Sequence, residues 1–248
     1  MHKSNKCSIM VGMPMRAVSV ISPSGDDVVA RLRATVDALE GRAHRRVYPV
    51  AEAFAPLLPD GGLRAGAAYG VSAGALLLAL LAGPSQDGSW CGVIGMPELG
   101  VEAAALAGVS LDRLVLVPQP GSRWLAVTAA LADVVPVVAV RPSGVVTQAD
   151  AAKLAGRMRD KDAVLLVDGA WPGAEASMSL DEPQWSGVGD GWGYLAGRTA
   201  TVRVASKRYA RVRSAHVVLP GPDGKLASAG SGSVSTSSTS GEELRRAV

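Results

Sequence analysis

The sequence predicts an α/β fold: a mostly parallel sheet flanked by helices, with a C-terminal antiparallel hairpin and an N-terminal helical extension. Three observations predict it. Through the middle of the chain, short apolar runs alternate with stretches of helical spacing, as in repeated βαβ units. The connections between them are short, as compact parallel sheets require. Residues 199–219 alternate apolar and polar in two pieces around a break at 207–210, the pattern of an antiparallel hairpin.

Taken in order, residues 1–25 show no sustained period and are punctuated by Pro14, Pro23 and Gly25, so they read as a flexible arm. A helical extension is expected over 26–61. Val28, Val29, Leu32, Val36 and Leu39 recur at helical spacing, with Asp26 and Asp27 favouring the N-terminus and Gly41 the stop. A second short helix is expected over 49–58, before the turn at 59–62. The core is expected over 62–221. Its strands fall at 67–71, 90–94, 114–117, 137–140 and 163–167, each apolar enough for burial on both faces. Helices fall between them, at 75–82, 101–107, 124–132 and 148–159. The stretch 169–193 has no clear period and reads as a loop. Residues 222–248, Ser-, Thr- and Gly-rich over 230–241, read as a disordered tail.

A chain of 248 residues that is 48% hydrophobic supports one sizeable core. Cys7 and Cys91 stand alone, without the spacing of a disulfide framework or a zinc site, so a reducing cytoplasm is the default expectation. The longest apolar run, 73–83, is about half of the ~20 residues that a membrane span needs. Lys3 and Lys6 precede an apolar stretch at 7–15, but Gly12, Pro14 and Arg16 spoil it as an export signal. Met10, Met13 and Met15 are alternative starts. A net charge of +3 does not announce nucleic-acid binding.

Gly70-Val71-Ser72-Ala73-Gly74 joins the first core strand to the first core helix, where glycines permit a sharp turn and a close approach to a ligand. Three readings compete. A phosphate loop needs Gly-x-x-x-x-Gly-Lys-Ser/Thr; here Ala75 and Leu76 follow Gly74, and there is no lysine between Lys6 and Lys153. A serine hydrolase would use Ser72 in Gly-x-Ser-x-Gly, with Asp168 and His216 in the expected chain order. Against it, His216 lies inside an alternating strand and the elbow falls on the first strand. The third reading is packing: small residues bring helix and strand close, and nothing binds there.

The order of elements from Leu63 to Pro220 resembles the RecA core. The motifs that carry the likeness are Tyr69-Gly70-Val71-Ser72-Ala73-Gly74, then Trp90-Cys91-Gly92-Val93-Ile94-Gly95-Met96-Pro97-Glu98, then Leu106-Ala107-Gly108-Val109-Ser110-Leu111-Asp112-Arg113-Leu114. The chain is closer still to the actinobacterial ImuA-prime proteins, through 57–63, a lysine-free glycine turn running into a Leu-rich helix over 70–81, and Trp171-Pro172-Gly173. That resemblance implies a RecA-like accessory protein of an error-prone translesion complex, linked to the SOS response and mutagenesis. It implies binding to an ImuB-like Y-family polymerase homologue and, indirectly, association with an error-prone C-family polymerase and a sliding clamp. It implies no catalysis, no cofactor, no metal and no membrane, and a cytoplasmic, nucleoid-associated location. Weak DNA contact and self-association are further expectations.

Carried over residue by residue, the resemblance also implies loss of ATPase chemistry. Ala75 stands at the lysine position of the nucleotide loop, and Arg141 at the metal-binding aspartate. The water-activating glutamate falls at Pro97, with Glu98 one residue late. What remains is a degenerate nucleotide loop, Gly70, Ser72 and Gly74, with ATP binding without hydrolysis as an alternative. The DNA-binding loops of RecA would follow the fourth and fifth strands. Here the second holds Glu175, Asp181, Glu182 and Asp190 and no Lys or Arg, so it should repel phosphate. The basic residues lie instead on the final hairpin, at Arg198, Arg203, Lys207, Arg208, Arg211 and Arg213. Trp171, Trp185 and Trp192 gather in the acidic stretch. Together with those cations they are candidates for contact with a partner or DNA, against the alternatives of a solvated edge and of packing onto the core.

Overall fold

The computed structural model describes residues 46–189, 192–221 and 223–229 and the backbone of 235–237. The arm at 1–25 and the helix at 26–39 lie outside the described residues. The description begins with a two-residue strand, β1 (Val47–Tyr48), paired antiparallel with β2 (Leu63–Arg64). Between them the expected short helix is a single 3-10 turn, Ala55–Leu57, with Pro56 in its first turn. Prolines at 49, 56 and 59 remove amide donors that a longer helix would need. The turn is held by its side chains: Phe54 and Leu57 are fully buried in the core.

The parallel sheet forms where expected, from β3 (Ala68–Val71), β4 (Cys91–Ile94), β5 (Leu114–Val117), β6 (Val137–Val140) and β7 (Val164–Asp168). The helices α1 (Gly74–Gln86), α2 (Val101–Leu106), α3 (Trp124–Ala132) and α4 (Gln148–Lys161) alternate with them. Thr147 starts α4 with a reciprocal capping box to Asp150. None of the helices among the described residues is long and apolar enough to cross a membrane.

The expected loop at 169–193 needs correction. Most of it is one long strand, β8 (Ala176–Gly189), parallel to β3 at its start and antiparallel to β9 (Trp192–Ser206). The signal was present: Ala176, Met178 and Leu180 alternate with Ser177, Ser179 and Asp181, but the glycines that follow obscured it. The expected hairpin is formed by β9 and β10 (Val212–Val218). Within the tail, β11 (Ala227–Ser228) and β12 (Ser235–Ser237) each pair antiparallel with β10. The free ladder groups of β10 supply partners that the tail's composition does not reveal.

The result is a ten-stranded sheet ordered β11-β10-β9-β8-β3-β7-β6-β4-β5, with β12 also on β10. Alternate side chains of the central strands feed two cores. Tyr69, Val71, Val137, Ala139, Val164 and Leu166 face α1 and the N-terminal turn. Ala68, Val138, Val140, Leu165 and Val167 face α3 and α4, where Trp124, Leu154 and Met158 pack. Burial on both faces explains the uninterrupted apolar runs. It also leaves only the strand ends free to carry polar chemistry.

Candidate functional site

In sheets of this kind, ligands bind at the carboxyl ends of the parallel strands, where successive connections leave in opposite directions. That condition holds between β3 and β7: α1 leads from β3 toward β4, while the chain after β7 passes back to β8. The turn at 70–74 lies on this edge, as expected from sequence. Gly70 is required there by close approach, because a Cβ would meet the Gly169 carbonyl oxygen at 2.9 Å. Gly74 has open space around its would-be Cβ. Ser72 is exposed, but its amide and its hydroxyl both donate to the Met178 carbonyl, at 3.0 and 3.2 Å. The first turn of α1 carries no charged side chain and no side-chain cap.

Arg141 dominates the chemistry of this edge. It follows β6 directly, and its Nε and Nη2 each lie 2.6 Å from Oδ2 of Asp168, the last residue of β7. Its Nη1 donates to Oε1 of Glu98, on the connection after β4. One guanidinium therefore ties together the ends of three neighbouring strands. Gly95 makes room for it, with φ +77 and the Arg141 carbonyl oxygen 2.5 Å from a would-be Cβ. The Glu98 carboxyl is held below its ordinary range by its own backbone amide and by the Arg141 guanidinium. The Arg141 guanidinium is in turn pushed further toward its charged form, chiefly by Glu98 and then by Asp168. Beside this cluster an open cavity of about 430 Å³ is walled by Pro142, Val146, Gln148, Gly169 and Pro172.

Ser72, Asp168 and His216 do not come together. Asp168 is taken by Arg141. His216, exposed on β10, has its Nδ1 3.1 Å from the Thr201 hydroxyl. Two strands separate β10 from β3, or about 14 Å at the usual ~4.8 Å spacing. No general base stands beside Ser72 among the described residues.

The cations of the hairpin divide into two groups. Arg208 donates to both carboxylate oxygens of Asp60, at 2.8 and 2.6 Å, and lies 3.5 Å from Glu175, which also pairs with Arg64 at 2.7 Å. Arg203 pairs with Asp181 at 3.4 Å. Arg213 donates to the Pro56 carbonyl at 2.8 Å and stacks 3.5 Å over the Tyr209 ring. Arg198 donates to the Leu219 carbonyl at 2.8 Å and lies over the Trp185 ring at 5.1 Å. Lys207 and Arg211 are exposed, with no such partner among the described residues. Trp171 is buried in the core with α4, whereas Trp185 is 53% exposed. The Trp192 side chain lies outside the described residues.

Sequence reasoning missed the partners of these cations. Asp60 and Glu175 are far from Arg208 along the chain and carry no motif. The pairing of Arg141 with Asp168 had a usable signal, since Arg141 directly follows apolar β6, Asp168 ends apolar β7, and those strands are neighbours.

A family model described as "MT3502 N-terminal domain" matches residues 56–173. That stretch runs from the 3-10 turn to the loop after β7 and contains the glycine turn, Glu98, Arg141, Asp168 and Trp171. The chain is also similar to Uncharacterized protein Rv3395c of Mycobacterium tuberculosis, at 36% identity over 114 residues, 44% of this chain and 56% of that protein. The likeness thus spans little more than half of the relative's length.

Proposed function

We propose that this chain is a non-catalytic, RecA-like accessory protein that scaffolds an error-prone translesion DNA synthesis complex by binding an ImuB-like Y-family polymerase homologue. The resemblance in the order of elements and in the motifs at 69–74, 90–98 and 106–114 supports the RecA-like core. Similarity to a mycobacterial protein is consistent with an actinobacterial source.

The observation that carries the reading is Arg141. A RecA-type core implies a nucleotide and Mg²⁺, and the residues here do not fit them. Mg²⁺ needs carboxylates free to coordinate it, but Asp168 and Glu98 are both spent on one guanidinium. A metal ion would have to displace that guanidinium or sit beside it, against like-charge repulsion. On the phosphate side, Ala75 offers no cation to balance a triphosphate. A protein without turnover acts through its surfaces.

Two measurements on the purified chain test this. Magnesium-ATP should be hydrolysed no faster than in buffer, and the polymerase homologue from the same genome should co-purify with the chain when the two are expressed together. Magnesium-dependent turnover that persists through successive purification steps contradicts the reading, and so does failure to co-purify.

A further inference from the structure

The cavity beside the Arg141 cluster is not electrically neutral. It opens at the carboxyl ends of β6 and β7, next to the place where the connections leave in opposite directions, and its volume of about 430 Å³ is that of a small-molecule site. Of the residues that line it, Asp168 alone is charged. Arg141 engages Asp168 through Oδ2 only, with Nε and Nη2 both directed at that one oxygen. Oδ1 accepts no hydrogen bond among the described residues and is not sealed from solvent. The same guanidinium is shared with Glu98, so two carboxylates stand against one cation and the cluster carries a net negative charge.

The wall favours an occupant that donates hydrogen bonds. Pro142 and Pro172 have no amide hydrogen, and the Gly169 amide is spent on the Val71 carbonyl at 2.8 Å. The N-terminus of α4 adds little positive field, because the Asp150 carboxylate closes its first turn onto Thr147. Gln148, in that turn, is exposed, and its carboxamide makes no hydrogen bond among the described residues, so its oxygen is free to accept. An anion would meet a free carboxylate oxygen and no unengaged cation on this wall. A divalent metal needs a shell of oxygen ligands, and among the described residues no three acidic, His or Cys side chains converge. A guanidinium pairs best with both oxygens of a carboxylate, but Oδ2 is already taken. A primary ammonium is a compact head with three divergent donors. It matches one free carboxylate oxygen and one carboxamide oxygen, with an alkyl stem against Pro142, Pro172 and Val146.

We infer that this cavity binds a primary ammonium group on an unbranched aliphatic stem, with the head at Oδ1 of Asp168 and the carboxamide of Gln148. Lysine side chains and free diamines share that chemistry. The test is amide NMR of the isotope-labelled full chain, titrated with pentylammonium, pentylguanidinium and pentanol. Pentylammonium should shift the Gln148 and Gly169 amides saturably, bind about tenfold more tightly than either of the others, and weaken as salt is added. Asp168→Asn should reduce pentylammonium to the level of pentanol. Because that change also frees Arg141, Gln148→Lys is the second variant: at an exposed position, it tethers an ammonium at the mouth of the cavity, and should abolish pentylammonium binding with thermal unfolding unchanged. Absence of shifts at those two amides overturns the inference. So does equal binding of pentanol or pentylguanidinium, or binding that both variants retain at the wild-type level. Nα-acetyl-lysine methylamide and cadaverine separate the sources. A site that takes the first is open to a protein side chain, one that takes cadaverine alone serves a free diamine, and binding of neither overturns the inference.

Discussion

Replacing Arg141 with methionine keeps most of the side-chain volume and removes the guanidinium that joins three strand ends. Two of its nitrogens lie 2.6 Å from Asp168 Oδ2, and the Asp168 side chain is 17% exposed against 41% for Arg141. Fully exposed ion pairs contribute about 0.2–1 kcal/mol, and hydrogen bonds to charged groups about 1.5–3 kcal/mol. For a half-exposed pair with this geometry, after solvent screening, the expected loss is about 1–2 kcal/mol. At roughly 2–4 °C per kcal/mol for a domain of this size, the midpoint should fall by about 2–8 °C. The assay is a double-mutant cycle in urea with Arg141→Met and Asp168→Asn, singly and together. Because Asp168→Asn removes the charge that Arg141 neutralises, the two losses should fall short of additivity by about 1 kcal/mol. Additivity within about 0.3 kcal/mol, or a stabilised Arg141→Met variant, would refute the claim that this guanidinium satisfies the strand-end carboxylate.

Further outcomes follow from the same contacts. Leu154→Ala, at a fully buried site of the α4 core, should cost about 2–5 kcal/mol in denaturant unfolding. Arg208→Ala should cost about 0.5–1 kcal/mol by removing the Nη1 that reaches both carboxylate oxygens of Asp60, whereas Lys207→Ala and Arg211→Ala should each stay within about 0.5 kcal/mol of wild type. Glu98 has its folded pKa lowered, so its contribution is present above the unfolded carboxyl value and is lost as pH falls through the folded one. An acid titration of stability should therefore lose its dependence on this group in Glu98→Gln. Ser72 should resist fluorophosphonate labelling in folded protein, since no base adjoins it.

How much could be read in advance depended on the reach of the interactions involved. The parallel strands and helices were legible because burial on both faces writes an uninterrupted apolar run, and each helix lies between two such runs. Expected strands at 114–117 and 137–140 coincide with β5 and β6, and the helix at 124–132 with α3. The segment at 49–58 was harder, because Phe54 and Leu57 belong to the main core and shape the chain more than local helix propensity does. Strand β8 was read as part of a loop because its distal half is held by cross-strand pairing rather than by burial. At the site, the missing lysine and the position of Arg141 were visible in the sequence. The capture of Glu98 by that arginine was not, because it depends on β4, β6 and β7 lying side by side, and that of Asp168 showed only as an arginine and an aspartate at the ends of two apolar runs.

Calorimetric titration of magnesium-ATP into the folded wild-type chain tests the central claim most directly. The account predicts no heat of binding beyond dilution, with or without Mg²⁺, because Ala75 and the Arg141 cluster leave nothing to hold the phosphates or the metal. Saturable, magnesium-dependent binding that disappears on substitution within residues 70–75 would contradict it.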